Sequence, residues 1–119
     1  MMKTALLVDD EPEICQLLCN MLRRAGTECD FAHSVHEGRA ALIEGHYDAV
    51  FVDVHLPDGL GYDLFADIRA GSPEARLIAI SAIDGESARA VAEGADLFVA
   101  KPFNRAIIMS SIHDLGFQS

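Results

Sequence analysis

Residues 49–53 read Ala49-Val50-Phe51-Val52-Asp53, a run of four apolar residues that ends in a carboxylate. A short, continuous apolar run of this kind is typical of a strand buried in the sheet of an α/β domain. The carboxyl ends of such strands are where open α/β sheets build their ligand sites. Asp53 is therefore the first residue at which we expect chemistry, and Pro57 and Gly61 behind it indicate a tight loop.

Three other short apolar runs also end in polar residues. They are Leu6-Leu7-Val8 before Asp9-Asp10-Glu11, Leu77-Ile78-Ala79-Ile80 before Ser81, and Leu97-Phe98-Val99-Ala100 before Lys101-Pro102. Longer amphipathic stretches separate the runs, and this alternation predicts β/α repeats around a parallel sheet. Carboxylates, a hydroxyl and an ammonium should then meet at one edge of the sheet, where they suit a divalent cation and a phosphoryl group.

The boundaries of the elements follow from the same pattern together with capping signals. We expect strands at 4–8, 28–32, 48–52, 76–80 and 97–100. We expect helices from Pro12 to near Gly26, from the Ser34 cap to near Gly45, over 60–70, over about 85–93, and from the Asn104 cap to Gly116. Ser34-Val35-His36-Glu37 matches a capping box, in which the first and last side chains satisfy free N–H groups.

Apolar spacing predicts which faces of the helices are buried. In the first helix the expected buried face is formed by Ile14, Leu17, Leu18, Met21 and Leu22. In the last helix Ile108, Ile112 and Leu115 share the inward face, so Ile107 or Met109 should be exposed. The fourth helix is alanine-rich with little apolar pattern beyond Val91, which indicates few anchoring contacts and low local stability.

Length, charge and cysteine content limit the classes of protein. The 119 residues favour a single domain, 1–119. The net charge of −10 argues against direct binding of nucleic acid or of an anionic membrane surface. No apolar stretch approaches the roughly 20 residues of a membrane span, and the first residues do not resemble a signal peptide. The three cysteines lack metal-ligand spacing, so we expect reduced thiols and a cytoplasmic location.

Asp9, Asp10 and Asp53 form the expected acidic site. Neighbouring carboxylates repel one another unless a cation or protons neutralise them, and Mg²⁺ prefers one or two carboxylates, waters and a phosphate oxygen. The alternative is that Asp9 and Asp10 only cap the first helix. In the metal interpretation Asp53 can attack a phosphoryl group and form an acyl phosphate. Lys101 and Ser81 can each hold one phosphoryl oxygen, and Mg²⁺ can hold the third.

All four motifs, in this order, make the chain resemble a response-regulator receiver domain of two-component signalling, similar to the chemotaxis regulators. The matching residues are Leu7-Val8-Asp9-Asp10-Glu11, Asp53-Val54-His55-Leu56-Pro57-Asp58 with Gly61, Ser81-Ala82 and Lys101-Pro102-Phe103. The resemblance extends from Lys3 to about Leu115. It implies an α/β, flavodoxin-like, doubly wound sheet of five parallel strands in the order 2-1-3-4-5, with five helices.

The resemblance also implies roles for the site residues. Asp53 would be the phosphoacceptor and, together with Asp10, a direct ligand of Mg²⁺. Asp9 would act on the metal mainly through water, and the backbone carbonyl of His55 would complete the protein ligands. Ser81 and Lys101 would hold the phosphoryl oxygens.

The resemblance further implies a switch and a set of partners. Ser81 and Phe98 would be the switch residues. The phosphoryl donor would be a sensor histidine kinase or a histidine phosphotransfer protein. The output would be a downstream protein or a fused output domain, addressed through the face formed by helix 4, strand 5 and helix 5, and that face could also form a homodimer.

The chain departs from the family pattern in three places. Ser stands at position 81, where Thr is also common, Phe98 lacks the hydroxyl of the Tyr found in many members, and the stretch between Ser81 and Lys101 is slightly short. The hydroxyl at position 81 is retained, whereas a switch through an outward phenol bond is not available. His55, two residues after Asp53, is expected either as a surface residue or as a residue that tunes hydrolysis.

Two other functions stay open at the level of sequence. A small Mg²⁺-dependent hydrolase with an aspartyl nucleophile would use position 55, here His55, for its general acid, although the chain is short for a substrate cap. A receiver that only binds proteins and is never phosphorylated usually lacks part of the acidic or Lys set, which this chain retains. In the signalling interpretation the domain is not an enzyme, except that it catalyses its own phosphorylation and dephosphorylation.

Overall fold

Five parallel strands form one sheet in the computed structural model, which describes residues 3–83 and 85–114. The strands, numbered β1 to β5 along the chain, are Thr4–Val8, Glu28–Ala32, Ala49–Asp53, Arg76–Ser81 and Leu97–Ala100. Each pairs in parallel with its neighbours, and the spatial order is β2-β1-β3-β4-β5. The expected flavodoxin-like order 2-1-3-4-5 is therefore confirmed. The chain reverses direction across the sheet between β1 and β3, where doubly wound folds place their ligands.

Helices join the strands, and two of them begin at the expected side-chain caps. Over the described residues they are α1, Pro12–Arg24; α2, Val35–Glu44; α3, Tyr62–Gly71; α4, Glu86–Ala92; and α5, Arg105–Asp114. Pro12 opens α1, where its missing N–H costs nothing. The Oγ of Ser34 accepts a hydrogen bond from the N–H of Glu37 at 3.0 Å, and Oδ1 of Asn104 accepts one from the N–H of Ile107 at 2.9 Å.

The sheet is covered on both faces, because alternate residues of each strand point to opposite sides. On β3, Val50 and Val52 pack in the layer that contains the buried side chains of α2, α3 and α4. Ala49 and Phe51 pack in the layer that contains those of α1 and α5. The two layers leave the carboxyl ends of the strands free to carry polar side chains.

The buried face of α1 differs from the expected one. Its buried residues are Cys15, Leu18, Cys19, Met21 and Leu22, whereas Leu17 is 39% exposed and Ile14 only half-buried. The prediction for Leu17 was wrong because two cysteines, which behave as small apolar side chains, complete the buried stripe. The stripe is thereby rotated away from Leu17.

The segment after β3 also differs from the expectation. A short antiparallel hairpin, His55–Leu56 against Gly59–Leu60, comes before α3. Helix α3 consequently begins at Tyr62 rather than near residue 60, and β3 extends to Asp53 itself. Strands of two residues have no periodicity that a sequence pattern could reveal.

The last two helices agree with the expected exposure. Ile108 is fully buried and Ile107 is 45% exposed, as their positions around the helix require. Ala90 is the one residue of α4 that is buried, and Val91 is 56% exposed. Leu115, Gly116 and the side chain of Ile112 lie outside the described residues. No helix in the described ranges has the length and apolar character needed to cross a membrane.

Candidate functional site

Asp53 ends β3 in the middle of the sheet, where its side chain is nearly buried, with 5% of the residue exposed. Its Oδ1 accepts a hydrogen bond from the backbone N–H of His55 at 3.0 Å. Its Oδ2 accepts one from Nζ of Lys101, also at 3.0 Å. The carboxylate is thus held in place from two sides at the carboxyl edge of the sheet, as the sequence predicted.

Gly61 allows the loop after β3 to return close to Asp53. Its N–H donates to the carbonyl of Val54 at 2.7 Å. A Cβ at this position would lie 2.7 Å from Cγ1 of Val52 and closer still to the carbonyl oxygen of Asp53. The glycine is required by this close approach of two backbone segments.

Asp9 is the most deeply buried acid of the site, with 1% of the residue exposed. Its Oδ1 accepts a hydrogen bond from the N–H of Glu11 at 2.9 Å. Its Oδ2 lies 2.9 Å from Nζ of Lys101 without hydrogen-bond geometry, and this buried oxygen has no hydrogen-bond partner in the described part of the chain. Burial raises the pKa of Asp9, and the N–H of Glu11 and the ammonium of Lys101 only partly oppose that effect.

Lys101 connects the acids of the site. Its Nζ lies 2.8 Å from Glu11 Oε1, 2.9 Å from Asp9 Oδ2 and 3.0 Å from Asp53 Oδ2, and its side chain is 11% exposed. Burial disfavours the charge on Lys101, but the surrounding carboxylates outweigh it, so the pKa of the ammonium is raised. Lys101 stays charged across the physiological range and balances part of the negative charge of the cluster.

The acidic cluster fits a hard divalent cation. One carboxylate oxygen from each of Asp9, Asp10, Glu11 and Asp53 lies within 4.8 Å of the others, and all four donors are oxygens. The buried Oδ2 of Asp9 lacks a hydrogen bond and is available to a cation. Asp10 is exposed, and Glu11 was expected as part of the motif but not as a partner of Lys101.

Ser81 lies at the same edge and makes no described hydrogen bond to Asp53, whereas Phe98 lies two residues before the end of β5. Ser81 is fully buried, and its Oγ accepts a hydrogen bond from the N–H of Ile83 at 3.0 Å. Phe98 is half-buried and packs against the layer that contains Val52. The hydroxyl of Ser81 is thus one residue past the register partner of Asp53, on the neighbouring strand.

A polar cluster beside the site was not anticipated. Nε2 of His55 lies 3.0 Å from Oε1 of Glu86, and the hydroxyl of Tyr62 donates to Oε2 of the same carboxylate. The guanidinium carbon of Arg89 lies 4.5 Å from the centre of the Tyr62 ring. These residues belong to the hairpin, α3 and α4, and no motif in the sequence connects them.

The capping of α2 by Asp58 is a second feature that the sequence did not reveal. Asp58, in the hairpin turn, accepts hydrogen bonds from the N–H groups of Val35 at 2.8 Å and of His36 at 3.0 Å. These bonds lower the pKa of Asp58. The loop that follows Asp53 is thereby fixed to the start of a neighbouring helix.

The fold and the site together define a signalling domain of the receiver class. A family model described as the response regulator receiver domain matches residues 5–113, and the chain belongs to that family. The fold is that of the chemotaxis-type regulators, and phosphorelay signalling through a response regulator is the class of function.

Individual relatives agree with the family. The chain is 36% identical over 100 residues to the response regulator protein PilR of Pseudomonas aeruginosa. The aligned region covers 82% of this chain and 22% of PilR. It spans half or less of the length of the curated relatives it matches.

Two solved structures are informative about ligands. The response regulator TrrA of Thermotoga maritima, in complex with Mg(2+)-BeF, superposes with a TM-score of 0.83 at 32% identity and covers 96% of this chain and 99% of its own. A response regulator from Burkholderia pseudomallei, solved with a phosphorylated aspartic acid, a calcium ion and citrate, superposes with a TM-score of 0.81 at 28% identity. The superposed region covers 91% of this chain and 65% of that structure's chain.

Proposed function

We propose that the domain is a phosphorylation-controlled switch in which Asp53 accepts a phosphoryl group with the help of Mg²⁺. The observation that supports this most strongly is the geometry of Asp53, a nearly buried carboxylate bonded to Lys101 within a cluster of three other acids. A phosphorylated aspartic acid and Mg(2+)-BeF in two relatives support the same chemistry. As a receiver domain the chain is a regulatory module and not a metabolic enzyme.

The bound cation would be held by Asp9, Asp10, Asp53 and the backbone carbonyl of His55, and it would neutralise the charge of the transferred group. The residues of the chain supply the other functions. An oxygen of Asp53 attacks the phosphorus of a phosphohistidine, a new O–P bond forms as the P–N bond breaks, and the released imidazole is protonated from solvent. Lys101, already 3.0 Å from Asp53 Oδ2, can turn its ammonium to a phosphoryl oxygen.

Ser81 would bind another phosphoryl oxygen and report the reaction to the rest of the fold. In the structure its Oγ accepts a hydrogen bond from the N–H of Ile83, and the hydroxyl can still donate its own proton to a phosphoryl group on Asp53. Movement of Ser81 toward that group would carry Ile83 with it. Phe98 would move with it as the second switch residue. Water attack on the acyl phosphate would return the domain to its resting state, which makes its dephosphorylation partly self-catalysed.

The partners follow from this role. The donor would be a sensor histidine kinase or a histidine phosphotransfer protein in the cytoplasm. The output would be a downstream protein or a fused output domain that recognises α4, β5 and α5, and a second copy of the chain could use the same face. Val91 and Ile107 are exposed on that face.

The two alternatives from the sequence have less support. A hydrolase would need its general acid free, whereas the His55 ring is bonded to Glu86. An interaction-only receiver would need no complete site, whereas Asp53, Lys101 and the acidic cluster are assembled together.

The test is phosphorylation by acetyl phosphate with Mg²⁺, followed by intact-mass measurement and mapping. We expect one phosphoryl group on the wild type, none on Asp53→Asn and one on Asp67→Asn, an exposed acid of α3 that serves as the matched control. Labelling should disappear when a chelator removes the metal. Phosphorylation of Asp53→Asn, or labelling that a chelator leaves unchanged, would contradict the proposal.

A further inference from the structure

We propose that Glu86 is a positioning residue that ties the loop after Asp53 to α4 and thereby stabilises the ligand-free arrangement of the switch. The inference rests on the proposed function and adds a specific connection within it. The connection runs from Asp53 through His55 to Glu86, and from Glu86 to Tyr62.

Glu86 makes an unusually complete set of contacts for a residue in the first turn of a surface helix. Its carboxylate binds the His55 ring with one oxygen and the Tyr62 hydroxyl with the other, and its side chain is only 13% exposed. One turn later Arg89 stacks on the Tyr62 ring at 4.5 Å, a cation–π distance. Two residues of α4 therefore hold the hairpin and the start of α3.

These polar contacts matter because α4 has little other attachment. Within the helix only Ala90 is buried, and its larger apolar residue Val91 is 56% exposed. A helix with so little buried apolar area opens at low cost in free energy. The position of α4 thus depends strongly on Glu86 and Arg89.

The same contacts reach the reactive carboxylate. The backbone N–H of His55 donates to Asp53 Oδ1, while the ring of the same residue binds Glu86. On the other side, the segment between Ser81 and Glu86 carries the Ser81–Ile83 hydrogen bond. If Ser81 moves toward a phosphoryl group on Asp53, the bonded Ile83 moves with it, and the bonds of Glu86, three residues further along the chain, oppose that shift. Their loss should favour the phosphoryl-bound arrangement.

The first experiment measures beryllofluoride affinity by calorimetry at saturating Mg²⁺. Tyr62→Phe removes one hydrogen bond to Glu86 without changing the sequence of α4. Tyr47→Phe is the matched control, because the Tyr47 hydroxyl donates a hydrogen bond of 2.6 Å to Asp30, and neither residue belongs to the Glu86 cluster. We expect Tyr62→Phe to bind about fivefold more tightly, at the low end of typical coupling between sites, and Tyr47→Phe to bind as the wild type does. Equal or weaker binding by Tyr62→Phe would mean that the contact is only structural.

The second experiment, amide exchange without ligand, is independent of phosphoryl chemistry. Each variant is read in the element that does not contain the substitution but is joined to it by the proposed contacts: Glu86→Ala at residues 53–60 and Tyr62→Phe at residues 86–92. Both should exchange faster there than in Tyr47→Phe. If exchange changes only next to each substitution, the connection is refuted. A different outcome is that the wild type does not bind beryllofluoride while each substitution still speeds amide exchange in the other element. In that case the proposed function fails, and the connection through Glu86 stands.

Discussion

At the scale of single residues, Asp9 and Asp10 differ in their surroundings although they are neighbours in the sequence. Asp9 is buried with an oxygen that lacks a hydrogen bond, whereas Asp10 is exposed. Asp9 is also the acid of the pair that lies 2.9 Å from the ammonium of Lys101, and burial raises its pKa. Its charge therefore costs more free energy in the fold than a solvated carboxylate would.

Asp9→Asn should stabilise the metal-free protein and abolish most of its stabilisation by Mg²⁺. The pKa of Asp9 is raised by burial, so a neutral amide suits the position better, and it can still accept from Glu11. Thermal or urea unfolding with and without Mg²⁺ measures both effects. At 100 times Kd the wild type should gain about 2.7 kcal/mol from the metal. Glu44→Gln, which neutralises an exposed acid at the end of α2, is the control, and a metal-free stability no higher for Asp9→Asn than for Glu44→Gln would contradict the prediction.

Gly61→Ala should destabilise the domain by about 1–3 kcal/mol, as overpacking does in tightly packed regions. The added methyl would press on Val52 and on the backbone of Asp53, neither of which is a flexible side-chain end. The control is Gly71→Ala, at the end of α3, where nothing lies within 4 Å of the added carbon. Urea unfolding measures the free energy of unfolding of the two variants. Equal values for Gly61→Ala and Gly71→Ala would show that the loop adapts to the added methyl group without loss of stability.

At the scale of elements, the hairpin after β3 serves as a clamp for α2. Its turn residue Asp58 caps the helix through two backbone N–H groups, in addition to Ser34. The start of α2 is thus held by Ser34, directly before the helix, and by Asp58 in the loop at the carboxyl edge of the sheet. Movement of that loop is thereby linked to the stability of α2.

Asp58→Asn should lower the melting temperature at neutral pH, because an amide has one acceptor oxygen for two donors. The pKa of Asp58 is lowered in the fold, so its stabilisation is present above its unfolded pKa of about 3.9 and is lost as the pH falls through the folded value. The difference from the wild type should therefore shrink in acid. Glu44→Gln, which neutralises an exposed acid without a described bond, is the control. A pH-independent difference would rule out the carboxylate as its cause.

Much of this architecture follows from local pattern. The short apolar runs predicted β1, β3, β4 and β5, and the strand-end rule brought Lys101 to Asp53 although 48 residues separate them. The rule works because parallel strands end at one edge. It says nothing of pairs such as Glu86 with Tyr62 or Asp58 with Val35, which join loops and helix starts. Those pairs depend on packing, which periodicity does not encode.

At the scale of the whole molecule, the acidic cluster and the α4–β5–α5 face occupy different regions of the fold. The acids gather at the carboxyl edge of the sheet, while Val91 and Ile107 mark the α4–β5–α5 face. Such an arrangement lets a charged ligand act at one place and a protein partner at another. The hydrogen bond between His55 and Glu86 joins the loop after Asp53 to α4 and so connects the two regions.

Beryllofluoride with Mg²⁺ should promote self-association of the domain through the α4–β5–α5 face. Sedimentation velocity is expected to show a dimer that Ile107→Ser weakens, because that side chain is 45% exposed on α5. Ile43→Ser, on α2, removes an isoleucine that is 85% exposed and should leave the dimer intact. If the two variants behave alike, or if the wild type stays monomeric, this face does not form a dimer.

The ammonium of Lys101 serves as a built-in counter-ion for the carboxylates of Asp9, Glu11 and Asp53. Binding of a divalent cation to these carboxylates would therefore replace part of their contact with Lys101. The ammonium that neutralises Asp9, Glu11 and Asp53 must yield part of that role when a divalent ion arrives. Affinity for the ion would then reflect competition with Lys101 as well as attraction to the carboxylates, because the ammonium already offsets part of their negative charge. Magnesium titration of Lys101→Met should accordingly show tighter binding than the wild type. Weaker binding would mean that Lys101 organises the acids instead of competing for them.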